Sequence, residues 1–129
     1  MRLLLDTQVA LWWLIGSKRL SPPARRRIAA AVCVVSVASV WEVAVKHRLR
    51  KLPVAPARFR DGMARARASI LPIEDAHAIG SAAVAIDHDD PFDRLLIAVA
   101  IAEGLRLLTA DAALLDAAAA NPALPIVAV

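Results

Sequence analysis

The sequence predicts an α/β domain in which a parallel sheet is covered by helices on both faces. Short, continuously apolar segments alternate with segments of helical character along the chain. Strands that lack polar alternation are typical of parallel sheets, because such strands are buried on both sides. At 129 residues the chain is long enough for one domain with a real core and too short for two. We therefore expect a single domain over residues 1–129.

Five segments are predicted to be strands, because they are short and rich in leucine, valine or isoleucine. In chain order they are Arg2–Leu5, Val32–Ser36, Ser69–Ile73, Arg106–Thr109 and Pro125–Val129.

Helices are predicted between the strands from capping residues and apolar periodicity. Thr7–Leu14 follows Asp6 or Thr7 as its N-cap, and Ser21 with two prolines is typical of a helix start before Ala24–Ala31. A third helix ends in basic turns before Pro53, and its apolar residues recur at helical spacing. This predicted buried stripe consists of Val37, Val40, Trp41, Ala44 and Val45.

Four further helices are predicted in the second half of the chain. In the first of these, Phe59, Met63 and Ala66 are expected to face inward. The third begins at a cap and a proline, is apolar enough to be buried on most sides, and ends at Gly104. The four segments are Pro56–Ala68, Asp75–Ile86, Asp90–Ala102 and Asp111–Ala120.

The composition limits the cellular setting. Apolar residues make up 59% of the chain and the mean hydropathy is +0.56, but the longest uncharged stretch, Ile28–Trp41, is too short to span a bilayer. No membrane association and no secretory signal are expected. The single cysteine, Cys33, excludes an internal disulfide and is typical of a reducing cytoplasm, where we expect the protein to reside.

Charge is divided unevenly along the chain. Residues 17–67 contain 13 Lys/Arg and 2 acids, a balance of +11, whereas the rest contains 3 basic and 10 acidic residues, a balance of −7. A basic half beside an acidic half indicates a polyanion held near an acidic centre. The alternative is a solvated basic face, which is the commoner role of charge runs. The near absence of acids within the basic stretch favours the polyanion.

Four acids stand at the borders of the predicted buried elements. Asp6 and Asp111 follow strands, and ligands of a parallel sheet bind at the carboxyl ends of its strands. Glu42 and Asp93 lie near the start of helices that leave the same edge. Clustered carboxylates in a region of low dielectric constant are unfavourable unless a cation neutralises them. We therefore expect these four acids to form a divalent-metal site.

Each acid also has a purely structural interpretation. Asp6 and Asp111 would serve as N-caps, and Asp93 would favour the dipole of its helix. Glu42 would complete a capping box with Ser39 or pair with Lys46 on a solvated face. None of these roles requires the acids to face one another, so only their joint placement predicts a site.

The acids fall within four blocks of sequence that match a known family in order and spacing. The blocks are Leu3-Leu4-Leu5-Asp6-Thr7, Ser36 through Trp41-Glu42, Asp90-Pro91-Phe92-Asp93-Arg94-Leu95-Leu96-Ile97-Ala98, and Leu108-Thr109-Ala110-Asp111. They resemble PIN-domain nucleases and, more narrowly, the VapC toxins of bacterial type II toxin–antitoxin systems. The block around Asp93 is the most specific, and the resemblance covers essentially the whole chain.

The resemblance implies a three-layer α/β/α sandwich around a central parallel sheet. It implies that Asp6, Glu42, Asp93 and Asp111 are the catalytic, metal-binding acids, with Thr109 as a supporting hydroxyl. The cofactor would be Mg²⁺ or Mn²⁺, and the reaction would be hydrolysis of RNA by a metal-activated water. The implied partners are the RNA substrate, a small VapB-like antitoxin and a second copy of the chain.

Aromatic side chains are not expected to dominate RNA recognition. The three tryptophans fall at core-like helical positions, so backbone contacts and RNA shape are the expected determinants. Each histidine is predicted to lie at the surface or at a helix end; they are His47, His77 and His88.

Other functional classes fit less well. A haloacid-dehalogenase-type phosphatase needs a second acid two residues after the first, and Gln8 occupies that position. A receiver domain needs a late lysine, and none follows Lys51. Two alternatives stay open: a PIN-type RNA-processing nuclease that is not a toxin, and a nucleic-acid-binding module that has kept the fold and lost the chemistry.

Overall fold

The computed structural model describes residues 2–129, in which five strands alternate with seven helices. The strands are β1 (Arg2–Leu5), β2 (Val32–Ser36), β3 (Ser69–Leu71), β4 (Arg106–Thr109) and β5 (Ile126–Ala128). The helices are α1 (Thr7–Ile15), α2 (Pro22–Ala30), α3 (Val37–Arg48), α4 (Pro56–Arg65), α5 (Asp75–Ser81), α6 (Pro91–Glu103) and α7 (Ala112–Ala120).

The strands form one parallel sheet in the order β3-β2-β1-β4-β5. Leu4 in the central strand is aligned with Val34 of β2 and Leu107 of β4. The chain moves outward from β1 to β3 and then returns to the other side of β1, so the direction of winding reverses between β1 and β4. Crevices for ligands form at such reversal points, outside the carboxyl ends of the strands.

Helices cover both faces of the sheet, which confirms the predicted three-layer α/β/α sandwich. Leu4 and Leu107 face a core that includes Leu96 and Ile97 of α6 and Leu114 of α7. The alternate strand residues belong to the opposite core, with side chains of α1, α2, α3 and α4; among them are Leu3, Leu5, Val9, Ile28, Val43, Phe59 and Met63. Successive residues of each strand are therefore apolar because each faces a different core.

The predicted apolar stripe of α3 is not the most buried face of the helix, although Val40 packs partly buried against a core. The buried residues of α3 are Ala38, Ser39, Glu42 and Val43, and Trp41 is 51% exposed. The helix is capped by Ser36, whose hydroxyl accepts from the amide of Ala38, so Ser39 forms no capping box with Glu42. The side chains of Ser39 and Glu42 instead contact the hydroxyl of Thr7 at the start of α1. The buried face of α3 therefore combines the apolar side chains of Ala38 and Val43 with two polar side chains that contact α1.

Two helices are shorter than predicted. The helix α4 ends at Arg65, because Arg67 adopts a left-handed conformation (φ 68°) and the amide of Ala68 bonds back to the carbonyl of Met63. Phe59 and Met63 are buried as expected, whereas Ala66 is exposed. The helix α5 ends at Ser81 rather than Ile86, since the following carbonyls bind the guanidinium of Arg94 instead of continuing the helix.

Within residues 2–129, no helix has the length and apolar character needed to cross a membrane.

Candidate active site

Asp6 is placed by the junction of the central strand with the first helix. Its amide donates to the carbonyl of Leu108 at 3.1 Å, which extends the pairing of β1 with β4 by one residue. Its side chain caps α1, because Oδ1 accepts from the amide of Val9 at 2.8 Å. The hydroxyl of Thr109 donates to Oδ2. Asp6 is therefore both an N-cap and a buried carboxylate held from two sides.

Asp111 is placed by the same threonine at the end of the neighbouring strand. Its amide donates to Thr109 Oγ1 at 3.0 Å, and its Oδ1 accepts from the amide of Leu114 at 3.1 Å, so Asp111 caps α7. The side chain of Thr109 is fully buried and bridges the two acids. The hydroxyl of Thr109, expected to support the metal-binding acids, thus contacts both the Asp6 side chain and the backbone of Asp111.

Glu42 reaches the same region from α3. Its Oε1 lies 2.7 Å from the hydroxyl oxygen of Thr7, and its Oε2 lies 2.6 Å from Lys46 Nζ. Glu42 is only 8% exposed, so its carboxylate is buried at the cavity and does not lie on the solvated face that its spacing with Lys46 also allowed.

Asp93 lies in the first turn of α6. Its amide and that of Phe92 both donate to Oδ1 of Asp90, the N-cap, at 3.2 and 2.9 Å. Its own Oδ2 lies 2.8 Å from His88 Nε2. The ring of Phe92 meets that of Trp41 edge-on at a centroid distance of 4.7 Å, which joins the start of α6 to α3. This contact brings the helix that carries Asp93 against the helix that carries Glu42.

The four predicted acids line one cavity of about 230 Å³ at the carboxyl edge of the sheet, beside β1 and β4. A fifth acid, Asp90, and one basic side chain, Lys46, line it as well. The remaining lining residues are Thr7, Gln8, Trp12 and Ala110. Elements from both ends of the chain therefore bring the predicted site residues together.

Two of the acids, Asp6 and Asp93, have pKa values above the ordinary range, chiefly because they are buried. Burial raises the pKa of Asp6 above its ordinary value; hydrogen bonds from Thr109 and Val9 oppose this, and the charges of Glu42 and Asp111 add to it. Burial likewise raises the pKa of Asp93 to about 6, against the hydrogen bond with His88 and together with the charge of Asp90. The hydrogen bond to Asp93 in turn raises the pKa of His88. A cation placed in this cavity would relieve the repulsion.

The carboxylates that line the cavity suit a hard divalent ion, although in this structure they contact other side chains of the protein. The lining acids offer only carboxylate oxygens, which are the ligands preferred by Mg²⁺ and Mn²⁺. Within residues 2–129, no three acidic, histidine or cysteine side chains are oriented to enclose an ion together. The acids turn instead to Thr109, Lys46 and His88. Since each carboxylate oxygen has two lone pairs, a cap or hydroxyl contact leaves capacity for an ion.

Several residues at the site were missed or misplaced by the sequence reasoning. The sequence predicts Lys46 only as a surface partner of Glu42, whereas in the structure it lines the cavity. His88 contacts Asp93. This contact could not be predicted from the sequence, because His88 lies in the loop before α6, which has no periodic pattern. Away from the cavity, His77 lies in the first turn of α5, at a helix end as predicted, but its ring is buried and lies 2.8 Å from Glu103 Oε1.

The fold and the acidic cavity place the chain among the PIN domains. The PIN-domain family model matches residues 3–120, and the chain therefore belongs to the PIN-domain family. This confirms the family resemblance of the four sequence blocks. PIN domains are typically nucleases.

The chain is similar in structure to several members of toxin–antitoxin complexes. A chain of a toxin–antitoxin complex from Klebsiella pneumoniae is 23% identical, with a TM-score of 0.64 over 96% of this chain and 94% of that one. A chain of DNA-bound VapBC from Salmonella typhimurium is 16% identical, with a TM-score of 0.68 over 99% and 98%. A chain of FitAcB from Neisseria gonorrhoeae is 19% identical, with a TM-score of 0.58 over 91% and 93%. No curated protein matches the chain in sequence.

Proposed function

We propose that the chain is a single PIN domain over residues 1–129 that hydrolyses RNA with Mg²⁺ or Mn²⁺ and acts as the toxin of a toxin–antitoxin pair. The observation that carries the nuclease proposal is the convergence of Asp6, Glu42, Asp93 and Asp111 on one cavity. Family membership supports the reaction class. The toxin role is supported by the structural similarity to chains of VapBC and FitAcB complexes.

Asp6 and Asp93 are the proposed direct ligands, and Glu42 and Asp111 bind through water or orient the attacking water. Asp6 is fixed by Val9 and Thr109, so its carboxylate is held in place before an ion arrives. A divalent ion in this cavity supplies an activated water and neutralises charge on the phosphoryl oxygens. The protein contributes acids in fixed positions around a cavity lined by residues of α1, α3 and α6.

The basic half of the chain is the proposed contact surface for RNA phosphates. Four arginines around α4 are exposed and so accessible to a polyanion: Arg58, Arg60, Arg65 and Arg67. Only Arg60 approaches an acid, Asp61, at 3.4 Å. Binding through such contacts releases counterions, so RNA affinity should fall steeply with salt.

The remaining parts of the proposal concern partners and compartment. A small VapB-like antitoxin is the proposed inhibitor, with a basic side chain that enters the acidic cavity. A homodimer is proposed because the resemblance to VapC toxins implies one. A cytoplasmic location is proposed because RNA is the proposed substrate and Cys33 is a free thiol.

The nuclease proposal is tested with Asp6→Asn and Asp93→Asn, assayed on RNA after thermal unfolding has shown that the variants fold. Both should lose cleavage, and EDTA should stop the wild-type reaction until Mg²⁺ is restored. Asp116→Asn is the matched control, because Asp116 is an exposed acid outside the cavity. Wild-type rates in Asp6→Asn, or cleavage that persists in EDTA, would exclude the mechanism.

The toxin proposal needs a separate experiment. Expression of the chain alone should arrest growth, and coexpression of the neighbouring gene product should relieve the arrest. Cleavage of RNA without growth arrest would indicate an RNA-processing nuclease, whereas RNA binding without cleavage would indicate a catalytically silent module.

A further inference from the structure

Lys46 is the basic side chain built into the acidic cavity. Of the described residues that line the cavity, only Lys46 is positively charged. Its ammonium lies 2.6 Å from Glu42 Oε2, and its side chain is 47% exposed, against 11% for that of Glu42. The carboxylate is therefore fixed and buried, while the ammonium stands at the opening of the cavity on a flexible four-carbon stem.

The charge on Lys46 is held by acids from two helices. Burial opposes the charged form, but the hydrogen bond to Glu42 and the charges of Glu42, Asp90 and Asp93 raise the pKa of Lys46 above its ordinary value. An isolated pair at i, i+4 on one helix would feel only its single partner. Lys46 instead neutralises part of the whole acidic cluster.

Lys46 and an incoming metal ion compete for the same acidic cluster. Lys46 Nζ contacts Glu42 Oε2 while Oε1 accepts from the hydroxyl of Thr7, so an ion that reaches Glu42, directly or through water, does so beside the ammonium. Once an ion neutralises the acids, the attraction that holds the ammonium at Glu42 falls. The freed ammonium, on its flexible stem at the opening of the cavity, would then be available to an RNA phosphate, for which a mobile point charge is a suitable partner.

We propose that Lys46 is a catalytic cation that exchanges partners, binding Glu42 in the metal-free protein and a non-bridging phosphate oxygen of the RNA once a divalent ion has bound. This inference rests on the proposed nuclease function. It predicts opposite effects on two measurable quantities, because the same side chain competes with the metal ion and assists the substrate.

The test uses Lys46→Met, which keeps the length of the stem and removes the charge. Calorimetric titration with Mg²⁺ in the absence of RNA should show affinity about 2- to 5-fold tighter than wild type, since a partly exposed competing ion pair is lost. Steady-state cleavage of RNA should show kcat lower by about 100-fold, the usual effect of removing one group that stabilises transition-state charge. Lys46→Arg keeps the charge and should stay close to wild type in Mg²⁺ affinity.

Lys51→Met is the control, because it removes the same charge from an exposed position outside the cavity and should leave the Mg²⁺ affinity at the wild-type value. Weaker or unchanged Mg²⁺ binding in Lys46→Met, or an unchanged kcat, would overturn the proposal for Lys46 alone. A wild-type protein that neither binds Mg²⁺ nor cleaves RNA would overturn it together with the proposed function.

Discussion

Thr109 offers a sharp test of how the site is held together. Its hydroxyl donates to Asp6 Oδ2 and accepts from the amide of Asp111 at 3.0 Å, and the residue is fully buried. Thr109→Val replaces this hydroxyl with a methyl group of similar size, so the packing of β4 is kept while both polar contacts are lost.

The expected cost follows from these two contacts. A hydrogen bond to a charged carboxylate contributes about 1.5–3 kcal/mol and a neutral one about 1 kcal/mol, so Thr109→Val should lower the free energy of unfolding by about 2–4 kcal/mol. The hydrogen bond from Thr109 also opposes the rise in the pKa of Asp6. Its loss should raise that pKa further and weaken Mg²⁺ binding at neutral pH.

Urea unfolding and titration with Mg²⁺ measure the two effects, and Thr109→Ser is the matched comparison. Serine keeps the hydroxyl and removes one methyl group, which should cost about 1 kcal/mol and leave metal affinity intact. Equal stability and equal Mg²⁺ affinity of the valine and serine variants would refute the role assigned to the hydroxyl.

Three further predictions concern the other parts of the site. The pKa of Asp93 is about 6 in the folded protein, above the ordinary value of 3.8, so its contribution to the stability of the metal-free protein is fully present below pH 3.8 and is lost as the pH rises to about 6. Asp93→Asn should flatten the pH dependence of the free energy of unfolding, measured in urea, over that window. An unaltered slope would contradict this reasoning. The five guanidinium N–H groups of Arg94 donate to five carbonyls between residues 81 and 88, whereas lysine has only three donors. Arg94→Lys should therefore lower the free energy of unfolding, measured by urea unfolding, by about 2–3 kcal/mol. A loss below about 1 kcal/mol would argue against this. Asp111→Ser keeps an N-cap for α7, so the variant should keep its stability and lose cleavage of RNA. Asp111→Ala should lose cleavage and also lower the free energy of unfolding by about 1 kcal/mol. Full cleavage by Asp111→Ser would show that Asp111 serves only as a cap.

The sheet and the positions of Asp6, Asp93 and Asp111 could be predicted because they depend on local sequence. Apolar runs identify strands that are buried on both faces, and residues directly after such strands must lie at the carboxyl edge. Asp6 and Asp111 follow this rule, and Asp93 is placed by the cap and proline before α6.

The environment of α3 could not be predicted because it depends on elements distant in sequence. Periodicity assigned Trp41 to the core, but Thr7 and the start of α6 offer polar and aromatic partners that turn Glu42 inward and leave Trp41 half exposed. The spacing of Glu42 and Lys46 predicted their ion pair correctly. It contained no information on whether that pair would face solvent or other acids.

Capping and site formation, which were alternatives at the level of sequence, coincide in the same carboxylates. Asp6 uses Oδ1 to cap α1 and directs Oδ2 toward Thr109, and Asp111 caps α7 from the wall of the same cavity. A cap fixes the side-chain rotamer, so the start of each helix holds its acid in place at no further cost in side-chain entropy. A mutation that removes both the cap and the charge therefore lowers stability and activity together, so the loss of activity cannot be assigned to either cause. Substitutions that preserve the cap, such as Asp6→Asn and Asp111→Ser, separate the two roles.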